Sequence, residues 1–182
     1  MLIRFFHLIP MTIEQFLLFA LIVVIVGSIA FLLGELLPRK NFDFTSFPFR
    51  PYSWEKDGRI YEKIGIRKWK DHVPDMSKYV KTMFAKSIVS PRDPEYTRRL
   101  ILETCVAELT HEVLMLISPI FTQYMPGLYG EIAMLIYAAG NLPFILIQRY
   151  NRPRLIQLME KQLASLSRNQ KKKETESPCR SY

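Results

Sequence analysis

Three long apolar blocks interrupt a chain whose other positions are largely polar. The first, Phe16 to Leu33 ("FLLFALIVVIVGSIAFLL"), runs 18 residues without a charge, enough to cross a hydrocarbon core roughly 30 Å thick. The second and third cover residues 106–121 and 128–147 and are separated by the short run "TQYMPG". Pro126 and Gly127 are turn formers, so this pair predicts a membrane hairpin. A buried helical hairpin of a soluble domain is the competing reading, but a 20-residue block broken only by Glu131 and Asn141 is long for a core helix. Between the blocks, Met76, Tyr79, Val80, Met83, Phe84 and Ile88 fall at helical spacing behind Asp75, with Lys78, Lys81 and Lys86 at other positions. That pattern predicts an amphipathic helix, either lying in the membrane interface or packed on the protein's own core. Asp93 followed by Pro94 then marks a helix start that leads into the second block.

These elements predict an all-α membrane protein with about three transmembrane helices plus cytoplasmic, interfacial amphipathic helices. The corresponding organisation is an N-terminal anchor over 1–37, an aromatic and basic interfacial segment over 38–99, a transmembrane hairpin with a polar cluster over 100–155, and a basic, largely disordered tail over 156–182. A cleaved signal peptide competes with the anchor reading, because Ser28 and Ala30 form a small-x-small pattern. The apolar run nevertheless continues past that point through Phe31, Leu32 and Leu33.

Composition adds orientation. Of 182 residues 49% are hydrophobic, and 25 Lys and Arg against 17 Asp and Glu leave a net charge of +8. The average conceals a division, since every basic residue except Arg4 follows the first block and none lies between positions 100 and 148. By the positive-inside rule the middle segment and the C-terminus face the cytoplasm, in a multi-pass protein of the cell membrane. Trp54, Tyr61 and Trp69 among lysines and arginines suit a membrane boundary. The same mixture can bind single-stranded nucleic acid, but that reading leaves the apolar blocks unexplained, so no nucleic-acid partner is expected. Two cysteines, Cys105 and Cys179, and three histidines, His7, His72 and His111, have no disulfide-framework or metal-ligand spacing. No metal site is expected.

Candidate chemistry lies in the second block. At the helical turn of roughly 100° per residue, Glu103, Thr104, Glu108, His111 and Ser118 share one face within an arc of about 140°. Ionisable groups at membrane depth usually face a bundle interior or aqueous cavity and mark function. The plain alternative is that Glu103 and Glu108 sit in the headgroup zone and neutralise Arg149 and Arg152. In an antiparallel hairpin the third block would bring Asn141, Arg149, Asn151 and Arg152 towards this face.

The runs "WEKDGRIYEKIGIRKWK", "LETCVAELTH" and "NLPFILIQRYNRPRL" resemble the glycosyl-4,4'-diaponeurosporenoate acyltransferase family of staphyloxanthin-type carotenoid synthesis, over roughly Phe44 to Leu155. The resemblance implies a membrane acyltransferase that esterifies the glucose C6 hydroxyl of a glycosylated C30 apocarotenoid with a fatty acyl chain. A fatty acyl donor such as acyl-CoA or acyl-carrier protein is expected as co-substrate, no cofactor is expected, and the expected partners are the bilayer, the glycosylated carotenoid and other carotenoid-pathway enzymes. Acyl transfer needs a base for the hydroxyl proton and donors for the oxyanion. On that footing His111 is expected to be the base, Glu108 to orient it with Glu103 nearby, and Asn141 to hold the oxyanion. Arg149, Asn151, Arg152, Trp54, Lys68, Trp69 and Lys70 are expected to bind substrate, the basic ones through donor phosphates. A non-catalytic pathway scaffold and another glycolipid acyltransferase are the alternatives.

Overall fold

The computed structural model describes residues 12–73, 93–125 and 127–176. Among them every regular element is helical: α1 (Ile13–Leu36), α2 (Ile66–Trp69), α3 (Pro94–Ile117) and α4 (Leu128–Glu176), with short 3-10 turns between. The helix expected behind Asp75 lies outside the described residues. The chain divides into two units, and the division falls inside α3 and α4. Residues 1–42 and 105–148 form the first, 43–104 and 149–182 the second.

In the first unit, α1 begins at a reciprocal cap in which Gln15 N donates to Thr12 Oγ1 and Thr12 N to Gln15 Oε1. It ends before Pro38, where Arg39 Nη1 donates to the carbonyls of Gly34, Glu35 and Leu37 at 2.8–2.9 Å. A cation there also complements the helix dipole. Only Gly34 of α1 is buried, while Leu17, Val24 and Leu33 are each more than half exposed. A helix apolar all round and left largely uncovered by the described residues suits an apolar surrounding medium. At Gly34 a Cβ would lie 3.0 Å from Thr110 Oγ1, so glycine lets α1 and α3 approach. Phe121 packs edge-on against Phe19 at 5.3 Å and against Tyr137 at 4.6 Å, tying the three helical stretches together.

Ser118-Pro119 stops α3 at Ile117 and opens a 3-10 turn, Ser118–Gln123, which folds over the start of α4. The fit is close: a Cβ on Gly130 would sit 2.9 Å from Thr122 Cα.

Among the described residues two helices, α1 and α4, are long and apolar enough to cross a membrane. The expected middle span does not meet the same measure. Helix α3 opens with Glu95, Arg98 and Arg99, continues with Glu103, Glu108 and Glu112, and ends at Ile117. The tail also departs from expectation, because α4 continues as helix to Glu176. Its polar segment is built from Gln, Glu, Lys, Arg, Leu and Ala, strong helix formers that need no apolar core.

In the second unit, residues 43–73 run through 3-10 turns and α2 rather than long helices. Phe49, Tyr61, Ile66 and Ile101 are buried there. At the start of α3, Asp93 Oδ1 accepts from Glu95 N at 2.9 Å, with Pro94 at the first helical position. Thr97 Oγ1 donates to Gln162 Oε1 at 2.8 Å, joining this turn to α4.

Candidate active site

The polar side chains singled out in the sequence separate into two clusters, one in each unit. In the first unit His111 Nδ1 lies 2.9 Å from Asn141 Oδ1. Asn141 is buried, and its Nδ2 donates to the Tyr137 carbonyl at 2.9 Å. A backbone carbonyl only accepts, so the amide nitrogen must face Tyr137 and the amide oxygen must face the imidazole. His111 therefore donates from Nδ1 and keeps its lone pair on Nε2. The Phe144 ring stacks on the imidazole at 4.3 Å and 12°, fixing the ring plane. Helical spacing makes this possible, because Tyr137, Asn141 and Phe144 are four and three residues apart on α4.

Sequence reasoning assigned these residues different tasks. Asn141, expected to hold an oxyanion, is engaged on both sides of its amide, by the His111 ring and the Tyr137 carbonyl. Glu108, expected to orient His111, is buried at 1% exposure on α3. Glu103 is half-buried and belongs to the second unit.

The second cluster is centred on two buried arginines of α4. Arg149 Nε donates to Glu55 Oε1 at 2.7 Å, its Nη1 to the Pro48 carbonyl at 3.0 Å, and its guanidinium lies 4.5 Å from the centre of the Tyr52 ring. Glu55, 1% exposed, also accepts from Tyr61 OH and, through Oε2, from Tyr52 N at 2.7 Å. Burial, then the bond to Glu55, pushes the Tyr61 phenol well above its ordinary range, so it remains a donor at neutral pH. Arg152 donates to Thr104 Oγ1 (2.9 Å), the Thr104 carbonyl (3.0 Å) and the Phe49 carbonyl (2.7 Å).

These contacts engage Arg149 and Arg152, both expected to bind substrate, in the packing of the second unit. Both guanidinia are buried and spend their fork of donors on backbone carbonyls, Thr104 and Glu55, which closes the 48–55 loop onto α4. They join the 48–55 loop and Thr104 of α3 to α4. Of the other expected binding residues, Trp54 is exposed and stacks on Tyr52 at 6.2 Å, and Lys68 is exposed. Trp69 donates from Nε1 to the Ile64 carbonyl, Lys70 pairs with Asp71 at 3.1 Å, and Asn151 is half-buried. Glu55, Tyr61 and Thr104 were missed as structural partners. Glu55 sits inside the "WEKDGR" run, but nothing in its spacing points to an arginine 94 positions away.

The Lys56-Asp57-Gly58 turn has three successive positive φ angles, 50°, 56° and 80°. It lies against α4 so closely that a Cβ on Gly58 would meet Arg154 Nη1 at 2.7 Å and the Tyr150 carbonyl at 3.0 Å. Glycine is required there by conformation and by space alike. Among the described residues no group of His, Cys, Asp and Glu could hold a metal ion.

Every regular element among the described residues is helical, and two of the helices are of membrane length, which places the chain by class with membrane-associated proteins. Comparison with known proteins makes this specific. The sequence profile of the family described as glycosyl-4,4'-diaponeurosporenoate acyltransferase matches residues 45–161, and the chain belongs to that family. Proteins of the same name from Staphylococcus aureus strains bovine RF122 / ET3-1 and MRSA252 are each 32% identical to it over 128 residues, covering 70% of this chain and 77% of theirs. No solved structure matches. The protein is thus an acyltransferase, and its two apolar helices accord with association with a membrane.

Proposed function

We propose that this enzyme transfers a fatty acyl group from a thioester donor to the glucose C6 hydroxyl of a glycosylated C30 apocarotenoid, in staphyloxanthin-type pigment synthesis. The observation that carries this reading is that the stretch matching the acyltransferase family, residues 45–161, contains a histidine whose free lone pair is set by the bond to Asn141. In the proposed reaction His111 Nε2 removes the proton from the C6 hydroxyl as that oxygen attacks the acyl carbonyl carbon. The tetrahedral intermediate then expels the thiolate, which takes the proton back from the imidazolium, leaving a sugar ester and a free thiol. Asn141 acts as a positioning residue: its oxygen stabilises the imidazolium through Nδ1–H while the charge lasts.

Extraction of lipids from cells that make the glycosylated apocarotenoid tests the substrate. With this chain expressed, mass spectrometry should find a new species heavier by one fatty acyl group. Absence of any acylated carotenoid at good expression, with a donor present, would sink the substrate assignment.

The basic distribution supports a multi-pass topology in which residues 38–99 and the C-terminus face the cytoplasm. A single cysteine introduced among Lys171 to Lys173, in a chain with its own cysteines replaced, should resist an impermeant thiol reagent in intact cells and react after permeabilisation. Labelling from outside reverses the orientation.

A further inference from the structure

We propose that a cationic groove in the second unit, built on Arg59, Arg67 and Arg154, binds the phosphates of a nucleotide-thioester acyl donor of the coenzyme A type. Two adjoining hollows make up the groove. One, of about 400 Å³, is lined by Asp57, Arg59, Glu62, Arg67, Arg154 and Gln157. The other, of about 370 Å³, is lined by Lys56, Arg59, Ile60 and Lys63. Arg59 borders both. Five cationic side chains thus face two carboxylates, leaving a positive excess in a concave surface, where field lines concentrate.

A solvated basic face would leave these side chains loose, but here they are set in place. Glu62 Oε1 accepts from Arg67 Nη2 at 2.6 Å and from Arg154 Nη2 at 2.7 Å, so one carboxylate compensates two guanidinia. Tyr150 supports both: Arg154 stacks 3.6 Å above its ring and donates from Nη1 to its carbonyl, and Arg67 Nε donates to its hydroxyl at 3.3 Å. Arg59 is fixed by its Nε donating to the Lys56 carbonyl at 3.1 Å, which directs it along the positive-φ turn that joins the two hollows. Rigid guanidinium forks lose little freedom on binding and match phosphate oxygens in pairs. Among the described residues Lys56 and Lys63 meet no carboxylate, so their charge is available to an incoming anion.

Two hollows sharing one arginine suit an anion with more than one phosphate. A diphosphate in solution and phosphodiester headgroups in a bilayer share this chemistry, and the structure favours the first because the groove is concave and divided. Naming the donor rests on the acyl-transfer reading, but phosphate binding does not.

The test is a titration of the full-length protein in neutral detergent with coenzyme A, followed by calorimetry without any carotenoid. Binding should weaken roughly 10-fold in Arg59→Gln and again in Arg67→Gln, the loss expected for a charge-assisted contact. Lys40→Gln, which removes an exposed charge from the first unit, should leave it unchanged. His111→Gln should also bind normally, so failure of the catalytic assignment and failure of the groove give different results. Because Arg59 and Arg67 are exposed, their thermal midpoints should match the parent and exclude misfolding as the cause. Coenzyme A affinity unchanged in both variants overturns the proposal. So does binding seen only with nanodiscs containing phosphatidylglycerol, or only with an acyl-carrier protein, since the groove then serves a headgroup or an acidic protein surface.

Discussion

Replacing His111 with alanine or glutamine is expected to reduce acyl transfer about 10²- to 10⁴-fold per inserted molecule, the usual consequence of removing a positioned base. The imidazole is half-buried and not part of the buried arginine network, so abundance should change far less than turnover. Asn141 separates positioning from packing. Asn141→Asp retains an oxygen facing Nδ1 but sets its second oxygen against the Tyr137 carbonyl, so it should keep part of the activity, whereas Asn141→Leu, close in volume, lets the ring choose either tautomer and should lose most of it. A residue needed only for packing would show the reverse order, since leucine suits an apolar helix contact better than a carboxylate. His72→Ala, at an exposed position of the second unit, is the control and should be mild. Full turnover by His111→Ala at normal abundance would place the base elsewhere.

Sequence patterns disclosed some of this structure and concealed the rest for physical reasons. Helix α1 is an uninterrupted apolar run, and nothing but a helix satisfies its backbone in lipid. The start of α3 was equally legible, because Asp-Pro fixes a cap and a first helical residue. Length was misjudged where composition and stability part company. The end of α4 is mostly polar yet continues as helix, because good helix formers extend a nucleus already set by packing upstream. Pairing His111 with Asn141 followed from antiparallel neighbours, but the direction of the amide did not, since only the Tyr137 carbonyl decides which end turns to the ring. The packing contacts of Arg149 and Arg152 have no such signal in the sequence. Their positions at the end of an apolar block look like a membrane boundary, and the 48–55 loop that covers them is built of 3-10 turns and extended links. Such segments have no hydrophobic period to read, and their contacts with α4 span about a hundred residues. The groove at Arg59, Arg67 and Arg154 was hidden likewise, because it forms only when the Gly58 turn packs on Tyr150.

Disrupting the buried Glu55–Arg149 pair should lower stability and abundance more than any other single change in the second unit. Glu55 is 1% exposed and receives three donors, from Tyr61, Arg149 and Tyr52. In Glu55→Gln one carboxylate oxygen becomes an NH₂ group, which must confront at least one of those donors, and the guanidinium loses its counter-charge. Breaking a buried pair from one side costs about 3–5 kcal/mol. That is a large share of the roughly 5–15 kcal/mol that holds most folded domains. Arg149→Lys is the sharper test, because it keeps the positive charge. A lysine has no planar fork to reach Glu55, the Pro48 carbonyl and the Tyr52 ring together, so it should resemble Glu55→Gln in losing protein from the membrane fraction and in lowering the unfolding midpoint in detergent. The role first expected from the sequence makes the opposite forecast. If Arg149 gripped donor phosphate, Arg149→Lys would be abundant and stable, with a raised KM for the donor. Normal stability with a raised KM would return Arg149 to the binding site, whereas reduced stability with an unchanged KM among surviving molecules assigns it to the frame that keeps the 48–55 loop on α4.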